Sequence, residues 1–253
     1  MLVFVGLGYS TRHLTMEAIE ELRSADVIYV DTYTSMYEDP IIKVILELNP
    51  RAEVIVARRS DLEGAAVNEL IERSKTERVV VASPGDPFIA TTHDAILADA
   101  LRRDVKVKVV HGISFITMAF SRLGLQVYKF GKTVTLVYPH SSKPYSVVDV
   151  IYDNLKRNLH TLVLLDLDIE KSRAMSIPEA VDILLELDYL GFLKDRLALG
   201  IARLGWRDEK ICAEVLPNLA LKAFPPPPHS LVILARLDPV EEFFIEYWRQ
   251  SCR

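Results

Sequence analysis

Cysteine is nearly absent from this sequence: its 253 residues include only Cys212 and Cys252, in no spacing that metal ligands use. We therefore assign the two cysteines no chemistry. Such sparse cysteine suits a reducing compartment, with the cytoplasm as the default location. No apolar run approaches the roughly 20 residues of a membrane span, and the first residues lack the features of a signal peptide. These absences predict a cytoplasmic protein with no metal and no membrane partner.

Several binding and catalytic motifs are also missing. The formal net charge of −5 lacks the positive footprint of a nucleic-acid binder, so we expect no nucleic-acid partner. The absence of GxxxxGK(S/T) excludes a P-loop, the absence of HExxH disfavours a catalytic metal, and no GxSxG elbow surrounds a serine. Gly6 and Gly8 follow the first predicted strand, but Thr11 stands where a dinucleotide fingerprint needs a third glycine. An NAD-dependent oxidoreductase is therefore a weak alternative.

What is present is the composition of a globular protein, with 50% hydrophobic and 26% charged residues. In the first half, short apolar runs alternate with amphipathic stretches. Strands are predicted at 2–6, 27–31, 53–57, 79–82 and 105–110, with helices between them. A capping box of Ser60 and Glu63 is expected to open the helix that runs to about Lys75. Five such alternations predict a mostly parallel sheet with helices on both faces.

Beyond residue 112 the order of elements changes. Strands are predicted at 133–138 and 161–167, and a short turn joins two more, at 197–203 and 210–216, as an antiparallel hairpin. A strand at 230–237 and a helix at 239–252 follow. The sequence therefore predicts an α/β protein of two α/β domains. Residues 1–112 would hold a mostly parallel sheet and residues 113–253 a mixed sheet, with a ligand in the cleft between the domains.

The stretch 79–96, VVVASPGDPFIATTHDAI, predicts a buried strand, a tight proline–glycine turn and a helix. Open α/β sheets use such a junction to present backbone amides and carbonyls to a small ligand. Asp86 in this turn either caps the turn or accepts a hydrogen bond from a ligand. His93, His111 and His229 are candidates for acid–base work, and the alternative for each is a hydrogen-bonded structural histidine.

Short motifs occur in one order along the chain: GLG at 6–8, DVIY at 26–29, YTS at 33–35, GDP at 85–87, ATTH at 90–93, GIS at 112–114 and PPH at 227–229. With these motifs the chain resembles the tetrapyrrole-methylase-like family of S-adenosylmethionine-dependent methyltransferases, and GDP followed by ATTH is the most specific part. The resemblance implies two α/β domains, S-adenosylmethionine in the cleft and a homodimer. It also implies N-methylation of the aminocarboxypropyl-modified histidine of translation elongation factor 2, on the path to diphthamide.

The resemblance further implies cofactor contacts at the matching positions. Several of these residues are apolar, as expected if backbone amides and carbonyls do much of the binding. The implied contacts are Tyr9, Asp86, Ile89, Ser114, Phe115, Leu165, Ala202 and His229. The sequence departs from the family's usual pattern at residues 9–12 and at Phe88 and Ile89, and these departures affect individual contacts.

Methyl transfer from a sulfonium to an amine needs a neutral nucleophile in line with the methyl–sulfur bond. An α-amino group with a pKa near 8 is about one tenth neutral at pH 7, a handicap of about 1.4 kcal/mol. Positioning both reactants can contribute roughly 7–11 kcal/mol. We therefore name no catalytic base. A protein substrate is expected to dock at residues 32–39, 58–59 and 138–145.

Two alternatives stay open beside this function. A methyltransferase of the same fold could act on a tetrapyrrole of the precorrin type. A binding module could instead hold S-adenosylmethionine without turnover. Only an enzyme would release S-adenosylhomocysteine when its substrate is added.

Overall fold

The computed structural model describes residues 1–139, 143–169 and 171–252. The chain forms two compact units. The first contains Met1–Thr117 and Asp168–Ser172, and the second contains Met118–Leu167 and the residues from Arg173 onward. The chain thus passes from the first unit to the second after Thr117, whereas the sequence places the boundary after Gly112.

A five-stranded parallel sheet forms the centre of the first unit. Its strands are β1 (Leu2–Gly6), β2 (Val27–Asp31), β3 (Glu53–Ala57), β4 (Val79–Ser83) and β5 (Val107–Val110). They lie in the order β3-β2-β4-β1-β5, and every neighbouring pair is parallel. All residues of β1, β2 and β4 are buried, as expected for apolar strands covered on both faces. The prediction of a parallel first sheet is confirmed.

Helices cover both faces of this sheet. They are α1 (Met16–Ser24), α2 (Ile41–Leu48), α3 (Arg59–Leu62), α4 (Ala66–Arg73) and α5 (Asp94–Arg102), and α6 (Phe115–Arg122) follows β5. Leu22 of α1 and Ile45 of α2 belong to the apolar core of one face. Leu70 of α4 and Ile96 of α5 belong to the core of the other.

The capping box expected at Ser60 and Glu63 is wrong. The helix starts earlier, because the Asp61 carboxylate accepts a hydrogen bond from the Arg58 amide at 2.8 Å. It also ends early, since Gly64 has a φ of +67° and interrupts the chain before α4 begins. Both residues of the expected box are therefore inside or beyond a short first helix.

The second unit contains a mixed five-stranded sheet. Its strands are β6 (Val134–Leu136), β7 (Thr161–Leu165), β10 (Leu197–Ala202), β11 (Lys210–Val215) and β12 (His229–Ile233); two two-residue strands, β8 (Leu167–Asp168) and β9 (Arg173–Ala174), lie between β7 and β10 in sequence. The order is β11-β10-β12-β7-β6. Only β6 and β7 run parallel, and β10 pairs antiparallel with both β11 and β12. The predictions of a mixed sheet and of the β10–β11 hairpin are confirmed.

Among the described residues, the α-helices that belong wholly to this unit are α7 (Tyr145–Lys156), α8 (Ile177–Leu187), α9 (Leu216–Leu219) and α10 (Pro239–Gln250). Ile151 of α7, Leu184 of α8 and Leu216 of α9 are fully buried in one apolar core with Val163 and Leu231 of the sheet. Over the described part of the chain, no helix combines the length and the apolar character that crossing a bilayer requires.

The two cysteines form a disulfide, which corrects the expectation that they carry no chemistry. It also removes the cysteine content as an argument for a reducing compartment. Cys212 lies on β11 and Cys252 lies just beyond α10, and the bond closes a separation of 40 residues. The helix packs along β11 and so returns the end of the chain to the strand. Sequence spacing could not show this pairing, because the fold alone brings the two positions together.

A buried cluster of charged and polar groups fixes the start of α10. Glu241 is fully buried and accepts hydrogen bonds from Lys129, from His160 Nε2 at 3.2 Å and from the amides of Gln126 and Asp238 at 3.2 and 3.1 Å. Burial works to raise the pKa of Glu241, but these donors outweigh it and the net shift is downward. The carboxylate therefore stays charged and links the segment before β7 to α10.

Candidate functional site

Three loops follow the carboxyl ends of β1, β4 and β5 and meet at glycines. Gly8 and Gly85 exchange two backbone hydrogen bonds, of 2.8 and 3.1 Å. A Cβ atom on Gly6 would lie 2.4 Å from the Gly112 nitrogen, and one on Gly112 would lie 2.1 Å from the Gly85 oxygen. Only glycine permits this approach. Since β1 and β4 are neighbours that connect to opposite sides of the sheet, this is where open α/β sheets bind ligands.

Tyr9 lies directly against the β4 loop. A Cβ atom on Gly85, whose φ is +69°, would lie 2.4 Å from the Tyr9 hydroxyl oxygen. That oxygen accepts a hydrogen bond from the Phe115 amide at 3.3 Å. Burial raises the pKa of Tyr9 to about 12, so the phenol stays neutral. The structure thus joins two of the predicted cofactor contacts, Tyr9 and Phe115.

Asp86 is 7% exposed, and its carboxylate is engaged by three donors. One oxygen accepts from the Phe88 amide at 3.0 Å, which caps the turn. The other accepts from His111 Nδ1 at 2.8 Å and from the Gly112 amide at 3.3 Å. Asp86 therefore holds the β4 loop and the β5 loop together. A hydrogen bond from Asp86 to a ligand stays a prediction.

The other two predicted contacts in this unit differ in exposure. Ser114 is 2% exposed, and its hydroxyl accepts from the Thr117 amide at 3.2 Å, which caps the first turn of α6. Ile89 is 43% exposed, and its amide donates to the Asp86 carbonyl at 3.3 Å. Ser114 therefore orders the backbone before Phe115, while Ile89 offers an apolar side chain at the surface of the unit.

Sequence reasoning missed the contacts that hold the loop after β2. Asp39 accepts hydrogen bonds from the Ser10 hydroxyl at 3.0 Å and from the Thr11 amide and hydroxyl at 2.8 and 2.7 Å. The Glu38 amide donates to the Tyr9 carbonyl at 2.9 Å. The only signal in the sequence was the polar character of both loops. These bonds attach the segment after β2 to the residues around Tyr9.

His93, an acid–base candidate, is completely buried between the ends of β2 and β4. Its Nδ1 lies 3.1 Å from the Ser83 hydroxyl and 3.1 Å from the Pro87 carbonyl oxygen. Its Nε2 lies 3.4 Å from a carboxylate oxygen of Asp31, itself fully buried. Burial lowers the pKa of His93, and the Asp31 charge acts in the opposite direction without reversing the shift. A neutral, buried imidazole is placed to shape the loop rather than to exchange protons with a ligand.

The remaining three predicted contacts lie in the second unit, where they are at the same end of three neighbouring strands of the mixed sheet. Leu165 ends β7, Ala202 ends β10, and His229 begins β12, which runs antiparallel to both. Ala202 is paired directly with His229, and Leu164 is paired with the next residue, Ser230. The structure therefore brings all three predicted contacts of this unit together.

Both ring nitrogens of His229 are already hydrogen-bonded. Nδ1 accepts from the Ile177 amide at 3.1 Å, which leaves the proton on Nε2 to be donated to the Pro225 carbonyl at 2.7 Å. Burial lowers the pKa of His229 as well. Of the two alternatives for this residue, the hydrogen-bonded structural histidine matches these contacts. Its contact with a cofactor stays a prediction.

The segments predicted to dock a protein substrate lie partly within the described residues. The Arg59 guanidinium carbon lies 5.0 Å from the centre of the Tyr33 ring, so the segments 32–39 and 58–59 touch each other. Residues 140–142 of the third segment lie outside the described part of the chain. Docking at these segments stays a prediction.

Comparison with known proteins gives the family. Residues 1–220 match the family described as Tetrapyrrole (Corrin/Porphyrin) Methylases. A protein of Staphylothermus marinus named diphthine synthase is 52% identical over 242 residues, which cover 95% of this chain and 91% of that protein. The chain belongs to the diphthine synthase family of these methylases. A diphthine synthase of Archaeoglobus fulgidus is 39% identical over 96% of this chain and 93% of its own length.

Solved structures agree with this family membership. A crystal structure of diphthine synthase superposes with a TM-score of 0.89 at 37% identity, covering 98% of this chain and 96% of that one. A putative diphthine synthase from Entamoeba histolytica gives a TM-score of 0.86 at 30% identity, with 98% of each chain covered. The predicted fold class, two α/β units of the tetrapyrrole methylase type, is thereby confirmed.

As a member of this family, the chain is a methyltransferase that acts in diphthamide biosynthesis with S-adenosylmethionine as the expected methyl donor. The residues present fit such a donor, because Gly6, Gly85 and Gly112 bring the backbones of the β1, β4 and β5 loops together at the carboxyl ends of the strands, where open α/β sheets bind small ligands. Among the described residues, no group of three histidine, cysteine or acidic side chains is arranged to hold a metal ion.

Proposed function

We propose that the protein transfers a methyl group from S-adenosylmethionine to the amino group of the aminocarboxypropyl-modified histidine of translation elongation factor 2, which gives diphthine. The observation that carries this proposal is family membership along nearly the whole chain, with 52% identity to a protein named diphthine synthase. The glycine contacts between the β1, β4 and β5 loops support it, because they form the type of strand edge that small ligands use.

The proposed cofactor contacts of the first unit are Tyr9, Asp86, Ile89, Ser114 and Phe115. Most of their side-chain polar atoms are already engaged within the unit, as the bonds of Asp86 and Ser114 show. The side chains therefore fix the backbone, and the backbone would hold the donor. In the second unit the same reasoning applies to Leu165, Ala202 and His229, which lie at the same end of three neighbouring strands.

The titratable groups near the proposed contacts of each unit support catalysis by positioning. Tyr9 is neutral because burial raises its pKa to about 12, and His93 and His229 are buried with lowered pKa values. None of these groups is exposed as a base. Since alignment of the two reactants is worth roughly 7–11 kcal/mol, no dedicated base is required. When bound, S-adenosylmethionine supplies the electrophilic methyl group.

The function is tested by mass spectrometry of elongation factor 2 that carries the aminocarboxypropyl-histidine precursor. With protein and S-adenosylmethionine, we expect added methyl masses on that histidine and stoichiometric S-adenosylhomocysteine. A parallel reaction with a precorrin-type tetrapyrrole tests the alternative substrate. Methylation of the tetrapyrrole alone, or donor binding without any S-adenosylhomocysteine release, would contradict the proposal.

A variant of Asp86 tests the location of the cofactor. Asp86→Ala removes the acceptor for Phe88, His111 and Gly112, so the backbone of the β4 loop loses its fixed position. We expect the affinity for S-adenosylmethionine to fall about tenfold to a hundredfold, measured by calorimetry. Asp99→Ala is the control, because Asp99 forms an exposed ion pair with Arg102 on α5. Equal affinities of both variants would place the cofactor elsewhere.

We further propose a homodimer located in the cytoplasm. Light scattering after size exclusion tests the first statement, and a mass of one chain at micromolar concentration would refute it. Fractionation of the source cells tests the second.

A further inference from the structure

The loop from Ser83 to His93 folds back on itself through one side chain. His93 directly precedes α5 and is completely buried, and its Nδ1 lies 3.1 Å from the Pro87 carbonyl oxygen in the middle of the loop. The same atom lies 3.1 Å from the Ser83 hydroxyl at the loop's start. The Nδ1 atom of His93, at the end of the loop, thus contacts both the first residue of the loop, Ser83, and its middle, Pro87.

The chemistry of these partners fixes the proton of His93. A carbonyl oxygen can only accept, so Nδ1 must donate to Pro87. In the neutral ring, Nε2 then carries a lone pair. Nε2 has no hydrogen-bond partner among the described residues, although Asp31 lies 3.4 Å away. Asp31 instead accepts from the amides of Tyr33 and Thr34 at 3.0 and 3.1 Å.

The backbone of this loop needs such support. Ala90 has a φ of +59°, a left-handed conformation that costs free energy for any residue with a Cβ atom. The Thr91 hydroxyl also donates to the Pro87 carbonyl, at 2.5 Å. Two donors on one carbonyl therefore hold the segment between Pro87 and Thr91 in a conformation that it would not adopt unaided.

We propose that His93 is a positioning residue for methyl transfer. Its Nδ1–H group holds the Pro87 carbonyl and thereby sets the backbone from Asp86 to Ile89, on which the methyl donor lies. This inference rests on the proposed function, because it assumes that the β4 loop binds the donor. His93 is not a catalytic residue, since its ring is enclosed by Ser83, Pro87 and Asp31 and touches no reacting atom.

Two conservative variants separate the two sides of the ring. In His93→Asn, the amide nitrogen takes the place of Nδ1 and can still donate to Pro87. In His93→Gln, the amide nitrogen takes the place of Nε2, faces Asp31 and leaves the Pro87 carbonyl without this donor. Both variants put a neutral amide in the same buried space, so a purely structural role of His93 predicts similar behaviour for both.

The measurement is the dissociation constant of S-adenosylmethionine by calorimetry, together with KM for each substrate. We expect His93→Gln to raise the dissociation constant and the KM of the donor about threefold to tenfold, the effect of one buried hydrogen bond. His93→Asn should stay within about twofold of the parent. KM for the modified elongation factor should be unchanged in both.

The inference is overturned if both variants weaken donor binding equally, if neither does, or if Asn is the weaker. The double variant His93→Gln with Ala90→Gly is the control for a loop that loses its conformation altogether. Glycine removes the cost of the left-handed conformation, so the double variant should regain part of the lost affinity. Failure of the parent protein to bind the donor would instead contradict the proposed function, and this experiment shows the two failures separately.

Discussion

Two groups of buried polar side chains, one in each unit, lie at different places relative to the predicted cofactor contacts. In the parallel sheet, Asp31, Asp86 and His93 are buried beside the carboxyl ends of the strands, among those contacts. In the second unit, Glu241 of α10 is buried as a charged group, and its partner His160 directly precedes β7. His160 therefore lies at the opposite end of the strands from Leu165 and Ala202, which end β7 and β10.

This difference separates two uses of a buried polar group. In the first unit the buried groups fix the loops that carry predicted cofactor contacts. In the second unit they fasten α10, and a disulfide fastens the end of the same helix. The first arrangement is expected to govern binding and the second to govern stability. Four changes test that division, from the largest expected effect to the smallest.

Reduction of the disulfide should have the largest effect, and it should act on stability. Closing 40 residues between Cys212 and Cys252 restricts the unfolded chain, worth about 4 kcal/mol by loop entropy. We expect dithiothreitol to lower the melting temperature by several degrees. Cys252→Ser is the control, because its melting temperature should already be low and should not respond to dithiothreitol. A parent protein indifferent to the reductant would contradict the assignment.

Glu241→Gln tests the buried cluster of the second unit. The amide removes the charge opposite Lys129 and places a donor among donors, so about 3 kcal/mol of stability should be lost. Urea denaturation measures the loss. Glu246→Gln is the matched control on the same helix, since Glu246 forms an exposed pair with Arg249. A similar loss in both variants would mean that burial of Glu241 is not what matters.

Gly85→Ala tests the close contact of the Gly85 backbone with Gly8 and Tyr9 in the first unit. This change should affect binding more than stability. Alanine must adopt a φ of +69° and place its Cβ 2.4 Å from the Tyr9 hydroxyl. Gly64→Ala is the control, with a φ of +67° and no atom within 4 Å. The left-handed conformation costs each variant about 1–2 kcal/mol. Only Gly85→Ala should also abolish measurable donor binding, and intact binding would show that the β4 loop is not part of the site.

The smallest effect concerns pH and should involve both units equally. Burial lowers the pKa of four histidines in the folded state: His13, His93, His160 and His229. Below the unfolded value of about 6.5, the unfolded chain therefore binds protons that the folded chain excludes. Stability should therefore fall as the pH is lowered from 7.5 to 5.5. A flat or rising profile in urea denaturation would contradict buried, neutral histidines.

Local patterns predicted the elements well where burial and turn chemistry act on neighbouring residues. The apolar runs of β1, β2 and β4 matched the structure because a parallel strand covered on both faces must be apolar throughout. The box at Ser60 and Glu63 failed for a related reason. Its two residues have the right spacing, but the competing bond of Asp61 and the break at Gly64 decide the helix ends.

The sequence likewise predicted some features of the candidate site and not others. Motifs such as GLG and GDP indicated which loops carry the site, since tight turns and close backbone contacts need glycine at fixed positions. They did not indicate that His93 reaches Pro87 or that Asp39 holds Thr11. The first contact lies within one loop and the second joins two loops, and no spacing rule indicates either of them.

The sequence by itself determined the α/β class, the parallel sheet of the first half and the mixed sheet of the second half. These features follow from local periodicity and turn residues. The motifs in their order determined the family. Only the tertiary structure decided that Cys212 meets Cys252, that Glu241 is charged and buried, and that Asp86 binds within the protein. Each of these depends on distant segments brought together by burial of the apolar cores, which sequence neighbours do not encode.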